Sequence, residues 1–269
     1  MRTPLYARLF LLPSLICMAL AFSAPVQARD QIREISVLAD SALTVPLTRL
    51  ASSYTRKSQV AVTLTFLPSF EQTVAIEEGE QADVLITAHP IPLKSLQQQG
   101  LYDVYSVKPI TEGRLSLISS YKDNPVLFGL NVENLRELRK KPGFLIAITN
   151  KAAAAEGHFA AQILDHLPSN LFLYDKIAQF QDTQEVLDFL SENEAYAILF
   201  ESDALLRRNV RSIAAFPREW HDPAVFTGVV VAGGSMATAR NFLTYLSSPE
   251  AQRVFIKYGF YPPSEGSPN

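Results

Sequence analysis

Short β-rich runs alternate with stretches of helical apolar spacing from Ile32 onward, and this alternation constrains the fold more than anything else in the 269-residue chain. Residues 34–38 read as a strand, and Leu43, Leu47, Leu50 and Tyr54 follow at helical spacing. Pro46 suits the first helical turn, where its missing N–H does little harm. The unit repeats, with strands at 60–66 and 83–87 and helices at 69–78 and 92–99. Such alternation predicts an α/β sheet that is mostly parallel and flanked by helices. After a break at 109–113 a second series opens, with strands at 114–119 and 144–149 and a helical face carrying Phe159, Ile163, Leu164 and Leu167. It continues with a helix near 183–190 and strands at 196–200 and 225–231, and closes on helices at 237–246 and 249–258. Two similar α/β lobes are expected, 33–110 and 111–221, with 222–263 returning to the first lobe.

The first 28 residues read differently. Arg2 and Arg8 precede an apolar run at 9–22, and small residues close the segment at Ala28, the pattern of a secretory signal. The run falls short of the roughly 20 residues a membrane span needs, and Pro13 interrupts it. Lipidation at Cys17 is disfavoured by the bulky Ile16 before it. Removing 1–28 takes away two arginines and no acids, which moves the net charge from -3 to -5, and also takes away the single cysteine. The exported chain then has neither disulfide nor thiolate chemistry. No later stretch is apolar enough to span a membrane, and without a basic excess nucleic acid is not an expected partner. The Ser/Pro/Gly tail at 264–269 is expected to fray.

Open α/β sheets bind ligands beyond the carboxyl ends of their strands. Three strand-to-helix junctions, 39–42, 67–70 and 150–157, place hydroxyls or free backbone N–H groups at helix starts, which are natural anion seats. Ordinary N-capping by Asp, Ser and Asn explains the same residues, and the local pattern leaves both readings open.

Read together, 35–44 (ISVLADSALT), 76–88 (IEEGEQADVLITA) and 258–260 (YGF) resemble the periplasmic molybdate-binding proteins of ABC importers. Intermediate landmarks agree in order, among them 146–148, 192–195, 202–204 (SDA), 215–217 and 246–251, so the resemblance spans about 35–260. It implies a two-lobed periplasmic binding-protein fold in which two crossing strands form the hinge and the lobes close over one small ligand. The implied ligand is an oxyanion such as molybdate or tungstate, held without a counter-charge by hydroxyls and backbone N–H groups of both lobes. It also implies delivery to an inner-membrane ABC permease, no cofactor, no catalysis and a monomeric chain in the periplasm.

Carried over position by position, the resemblance places ligand contacts at Ser69, at Ala42 with Ser41 beside it, at backbone donors of Glu156 and Thr183, and at Phe200. Three of these depart from the family pattern. Ala42 lacks the family serine's hydroxyl, Phe200 lacks a tyrosine's, and Glu156 stands where relatives usually carry a small residue. Asp40, Phe70, Glu71, Gly157, His158 and Glu201 fall at or beside the same cleft. A carboxylate about 4 Å from a dianion costs on the order of several kcal/mol at an effective dielectric near 20. Either the acids turn outward as caps, or the ligand is no longer a bare oxyanion but a small organic solute or a metal cation. Asp40, Glu71, Glu156 and His158 could serve a cation, although they lack metal-ligand spacing. An enzyme would need Ser41 or Ser69 with a base among His89, His158, His166 and His221, and no G-x-S-x-G elbow supports one. A sensor or accessory binding module would use the same hinge.

Overall fold

The computed structural model describes residues 33–122, 129–171, 173–205, 207–233 and 236–264. The expected signal segment and the tail beyond Ser264 lie outside the described residues. The chain opens with β1 (Arg33–Asp40), α1 (Thr44–Ser58), β2 (Val60–Leu67), α2 (Ser69–Glu77), β3 (Val84–Thr87), α3 (Pro90–Gln98) and β4 (Lys108–Gly113). The second series is β5 (Leu115–Ser119), α4 (Val132–Arg139), β6 (Ile146–Thr149), α5 (Ala155–His166), β7 (Ile177–Phe180), α6 (Thr183–Glu192), β8 (Tyr196–Phe200), α7 (Glu201–Leu205) and β9 (Arg211–Ala215). The chain then returns through β10 (Ala224–Val230) and ends with α8 (Met236–Leu246) and α9 (Pro249–Lys257).

Periodicity fixes the first elements. Leu47, Leu50, Ala51 and Tyr54 recur on one side of α1 and are all buried, as are Ile35, Val37, Leu38 and Ala39 of β1. The parallel strands β1, β3, β6 and β8 read as near-continuous apolar runs because helices cover both their faces.

Two five-stranded sheets result, in the orders β2-β1-β3-β10-β4 and β7-β6-β8-β5-β9. Each is mixed rather than mostly parallel. β1 lies parallel to β2 and β3, and β6 parallel to β7 and β8, whereas β10 is antiparallel to β3 and β4, and β5 to β8 and β9. The antiparallel strands are those that carry the chain between lobes: β4 passes through Arg114 straight into β5, and β9 leads back to β10. The stretch expected as a break at 109–113 is therefore β4 itself. Pro109 is tolerated because β4 is an edge strand, where one missing ladder N–H is not needed.

At the first crossing Gly113 has no room for a side chain, since a Cβ there would lie 2.7 Å from the Phe200 ring. Phe200 in turn packs on Phe226 with ring centroids 5.5 Å apart, so the main hydrophobic core continues from one lobe to the other through the crossing. No helix among the described residues is long and apolar enough to cross a membrane.

Candidate functional site

The carboxyl ends of β1, β2, β6, β7 and β8 face a cavity of about 430 Å³. Ser41, Ala42, Thr44, Val45 and Pro68 line it from the first lobe, and Glu156, Asp182, Thr183, Gln184, Leu187, Asp203 and Arg207 from the second. This is the placement expected of an open α/β sheet, in which helix starts gather at one end of the strands.

Asp40 ends β1 just behind the wall and is 2% exposed. Its Oδ1 accepts the Ala42 N–H at 3.0 Å and its Oδ2 accepts the Ser69 hydroxyl at 3.1 Å. Burial pushes its carboxyl up to about 6, against the lowering effect of those two hydrogen bonds. Glu156, in the first turn of α5, is also 2% exposed. Its own backbone N–H and the Thr183 side chain stand near enough to favour the charged form. Burial first, then the negative charges of Asp40 and Asp203, raise Glu156 well above the usual carboxylate range. Asp203, from α7, accepts the Phe200 N–H at 3.1 Å and is pushed up to about 7 by burial and by Asp40, with Arg207 acting in the opposite sense. Arg207 donates to Gln184 Oε1 at 2.8 Å. Two lobes thus bring three carboxylates near one another, and burial disfavours the ionisation of each, with like charge adding to it at Glu156 and Asp203.

Gly157 explains why α5 can start where it does. A Cβ at this position would meet the Asn150 carbonyl oxygen at 2.5 Å, a backbone atom that cannot swing aside. The absent side chain lets α5 seat against the loop after β6 and sets Glu156 at the cavity.

The sequence-derived positions divide clearly. Ser41, Ala42, Glu156 and Thr183 line the cavity, and Asp40 and Ser69 stand immediately behind it, joined to each other. Ser69 is 1% exposed, and its hydroxyl goes to Asp40 instead of into the cavity. Phe200 does not line the cavity: it is fully buried at the crossing, because the all-apolar β8 is covered on both faces. Glu201 accepts the Tyr261 hydroxyl at 2.9 Å, away from the cavity. Glu71 is exposed in the first turn of α2. Phe70, 57% exposed, lines a separate hollow of about 240 Å³ with His89 and Ile91. His158 packs on His89 with ring centroids 4.7 Å apart and meets the Gln162 amide at 3.3 Å.

Sequence reasoning missed Asp203, Arg207, Gln184 and Leu187 as cavity residues. Asp203 lay within the landmark at 202–204, but a five-residue helix carries too little periodicity to show which way its side chain points, and Arg207 lies beyond that helix. Among the described residues no three His, Cys, Asp or Glu side chains converge as a metal-ion site would require.

The sequence profile of the bacterial extracellular solute-binding proteins matches residues 35–261. The molybdate-binding protein ModA of Haemophilus influenzae is 26% identical over 251 residues, 92% of this chain and 95% of that protein. The molybdate-binding protein ModA of Escherichia coli is 26% identical over 247 residues, 90% of this chain and 94% of that protein. The periplasmic molybdate-binding protein of Azotobacter vinelandii superposes with a TM-score of 0.72 at 19% identity, over 86% of this chain and all of that one, which establishes a shared fold.

Proposed function

The chain belongs to the bacterial extracellular solute-binding proteins, and from that premise we propose that it captures a small solute between its two lobes and delivers it to an ABC importer of the inner membrane. The observation that carries this reading is the cavity of about 430 Å³ walled by strand-to-helix junctions of both lobes. A ligand there touches both lobes at once and so favours the closed arrangement over the open one, which is how a binding protein signals occupancy. Ser41, Ala42, Glu156, Thr183 and Asp203 meet the solute, and Ser69 acts through Asp40. These residues recognise the solute, which leaves unchanged. The chain works in the periplasm after removal of its first 28 residues.

The relatives are named for molybdate, so molybdate and tungstate head the ligands to try, followed by small organic solutes. A chain starting at Arg29 is unfolded thermally with each, and its radius of gyration is followed by small-angle scattering. A cognate solute at 100 times its Kd stabilises the native state by about 2.7 kcal/mol and contracts the molecule. Failure of every class to do either overturns solute capture. Delivery is checked by deleting the gene and measuring uptake of the solute identified in this way.

A further inference from the structure

The solute-capture reading leaves the chemical class of the solute open, and the polar groups at the cavity narrow it. A tetraoxyanion needs converging donors. In the first lobe the Ala42 N–H and the Ser69 hydroxyl are engaged by Asp40. In the second lobe the buried Glu156 itself lines the cavity beside Thr183. In the first lobe a carboxylate of the chain thus takes up donors that a bound anion would use, and in the second Asp182 and Asp203 join Glu156 to put three carboxylates in the wall. Arg207, the one cationic residue of the wall among the described residues, is hydrogen-bonded to Gln184. The remaining wall includes apolar Val45, Pro68 and Leu187, which suit a carbon skeleton and add nothing to a bare inorganic ion. A metal ion is disfavoured because the acids do not converge on one point.

We infer that the cavity takes a small organic cation, its ammonium or amidinium group donating to Glu156 and Asp203 between the lobes and its hydrocarbon part lying on Val45, Pro68 and Leu187. Held by acids of the second lobe, the solute reaches Val45 and Pro68 of the first only when the lobes close, which is the differential interaction that closure requires. The carboxyls ionise as the cation enters, so binding releases protons, whereas an oxyanion would draw protons in. Resting on solute capture, this inference fails separately from it.

The test is isothermal titration of the chain starting at Arg29, in phosphate and in Tris buffer at pH 7, with putrescine, agmatine and ethanolamine set against molybdate, tungstate and manganese. We expect saturable binding of at least one amine with proton release. Glu156→Gln and Asp203→Asn should each weaken that binding tenfold or more, while Glu71→Gln, on the exposed first turn of α2, leaves it unchanged. Thermal unfolding of the variants confirms that they are folded. Binding of molybdate or tungstate without any amine overturns the organic cation and leaves solute capture standing, as does binding of manganese alone. Amine binding indifferent to both substitutions overturns the assignment of the site, and silence from all six probes overturns the inference together with the ligand classes on which solute capture now rests.

Discussion

Glu156 occupies a position where the family resemblance calls for little more than a backbone N–H, and its burial beside Asp40 and Asp203 gives the ligand-free molecule an unusual pH response. A carboxyl whose folded pKa is raised holds a proton that the unfolded chain has already released. Stability therefore falls as pH rises from the unfolded pKa, near 4, to the folded value, and levels off above it. For Asp40, raised from 3.8 to about 6, this amounts to about 3 kcal/mol, with Glu156 and Asp203 extending the decline toward pH 7 and beyond. His89, His158 and His221, lowered by burial, act in the opposite sense below pH 6.5, so a variant is needed to isolate the acids. Glu156→Gln removes the titrating group that burial and the charges of Asp40 and Asp203 raise. The fall in urea midpoint between pH 4.5 and pH 8 should be visibly shallower in the variant, and parallel profiles would refute the coupled cluster. The strand-end rule, which needs only the order of elements, pointed to the junctions of Ser41, Ala42 and Glu156, and the family resemblance pointed to Thr183; all four line the cavity. The direction of the Ser69 hydroxyl and the burial of Phe200 were not legible, since each depends on what another lobe or another loop places opposite.

Helix starts and strand edges carry the next level of specificity. α5 begins against the loop after β6, and the missing side chain at Gly157 is what permits that approach. Gly157→Ala drives a Cβ into the Asn150 carbonyl, so α5 must shift. The expected cost is about 1–3 kcal/mol, read from urea unfolding, with solute affinity falling as well because Glu156 moves with the helix. Full stability and affinity in the alanine variant would show that the loop after β6 yields easily. Elements with strong apolar periods, such as α1, β1 and β8, could be read from the chain directly. β4 could not, because Pro109 argues for a break until the sheet order shows an edge strand with a register shift beside Pro109, where a missing ladder N–H is tolerated. β7 and β9 were likewise passed over, being four- and five-residue edge strands with little alternation to detect.

Across the whole molecule, the lobes meet both through the crossing strands and through contacts made by the loop after β6. The Phe70 N–H donates to the Ala153 carbonyl at 3.1 Å, and His89 Nε2 lies 3.1 Å from the Lys151 carbonyl. His89 Nδ1 accepts the Ile91 N–H, which leaves Nε2 as the protonated nitrogen and makes the contact to Lys151 a genuine donor to a carbonyl. One lobe thus supplies two donors and the other two acceptors, at a place separate from the solute-facing acids. His89→Ala removes one of these bonds, worth about 1 kcal/mol, and shifts the balance between closed and open arrangements about fivefold toward open. Apparent solute affinity should fall by a similar factor even though no solute-facing residue has changed, because only the closable fraction binds tightly. The chain beyond residue 28 contains no cysteine, so Ser52→Cys and Ser191→Cys, both at exposed positions on opposite lobes, give a clean pair for spin labels. Electron–electron distance measurements at pH 7.5 should show a longer ligand-free separation in the His89→Ala background than in the parent, and the same separation once solute is saturating. Equal separations without ligand would mean that the crossing strands alone set the lobe arrangement and that the His89 contact merely follows it.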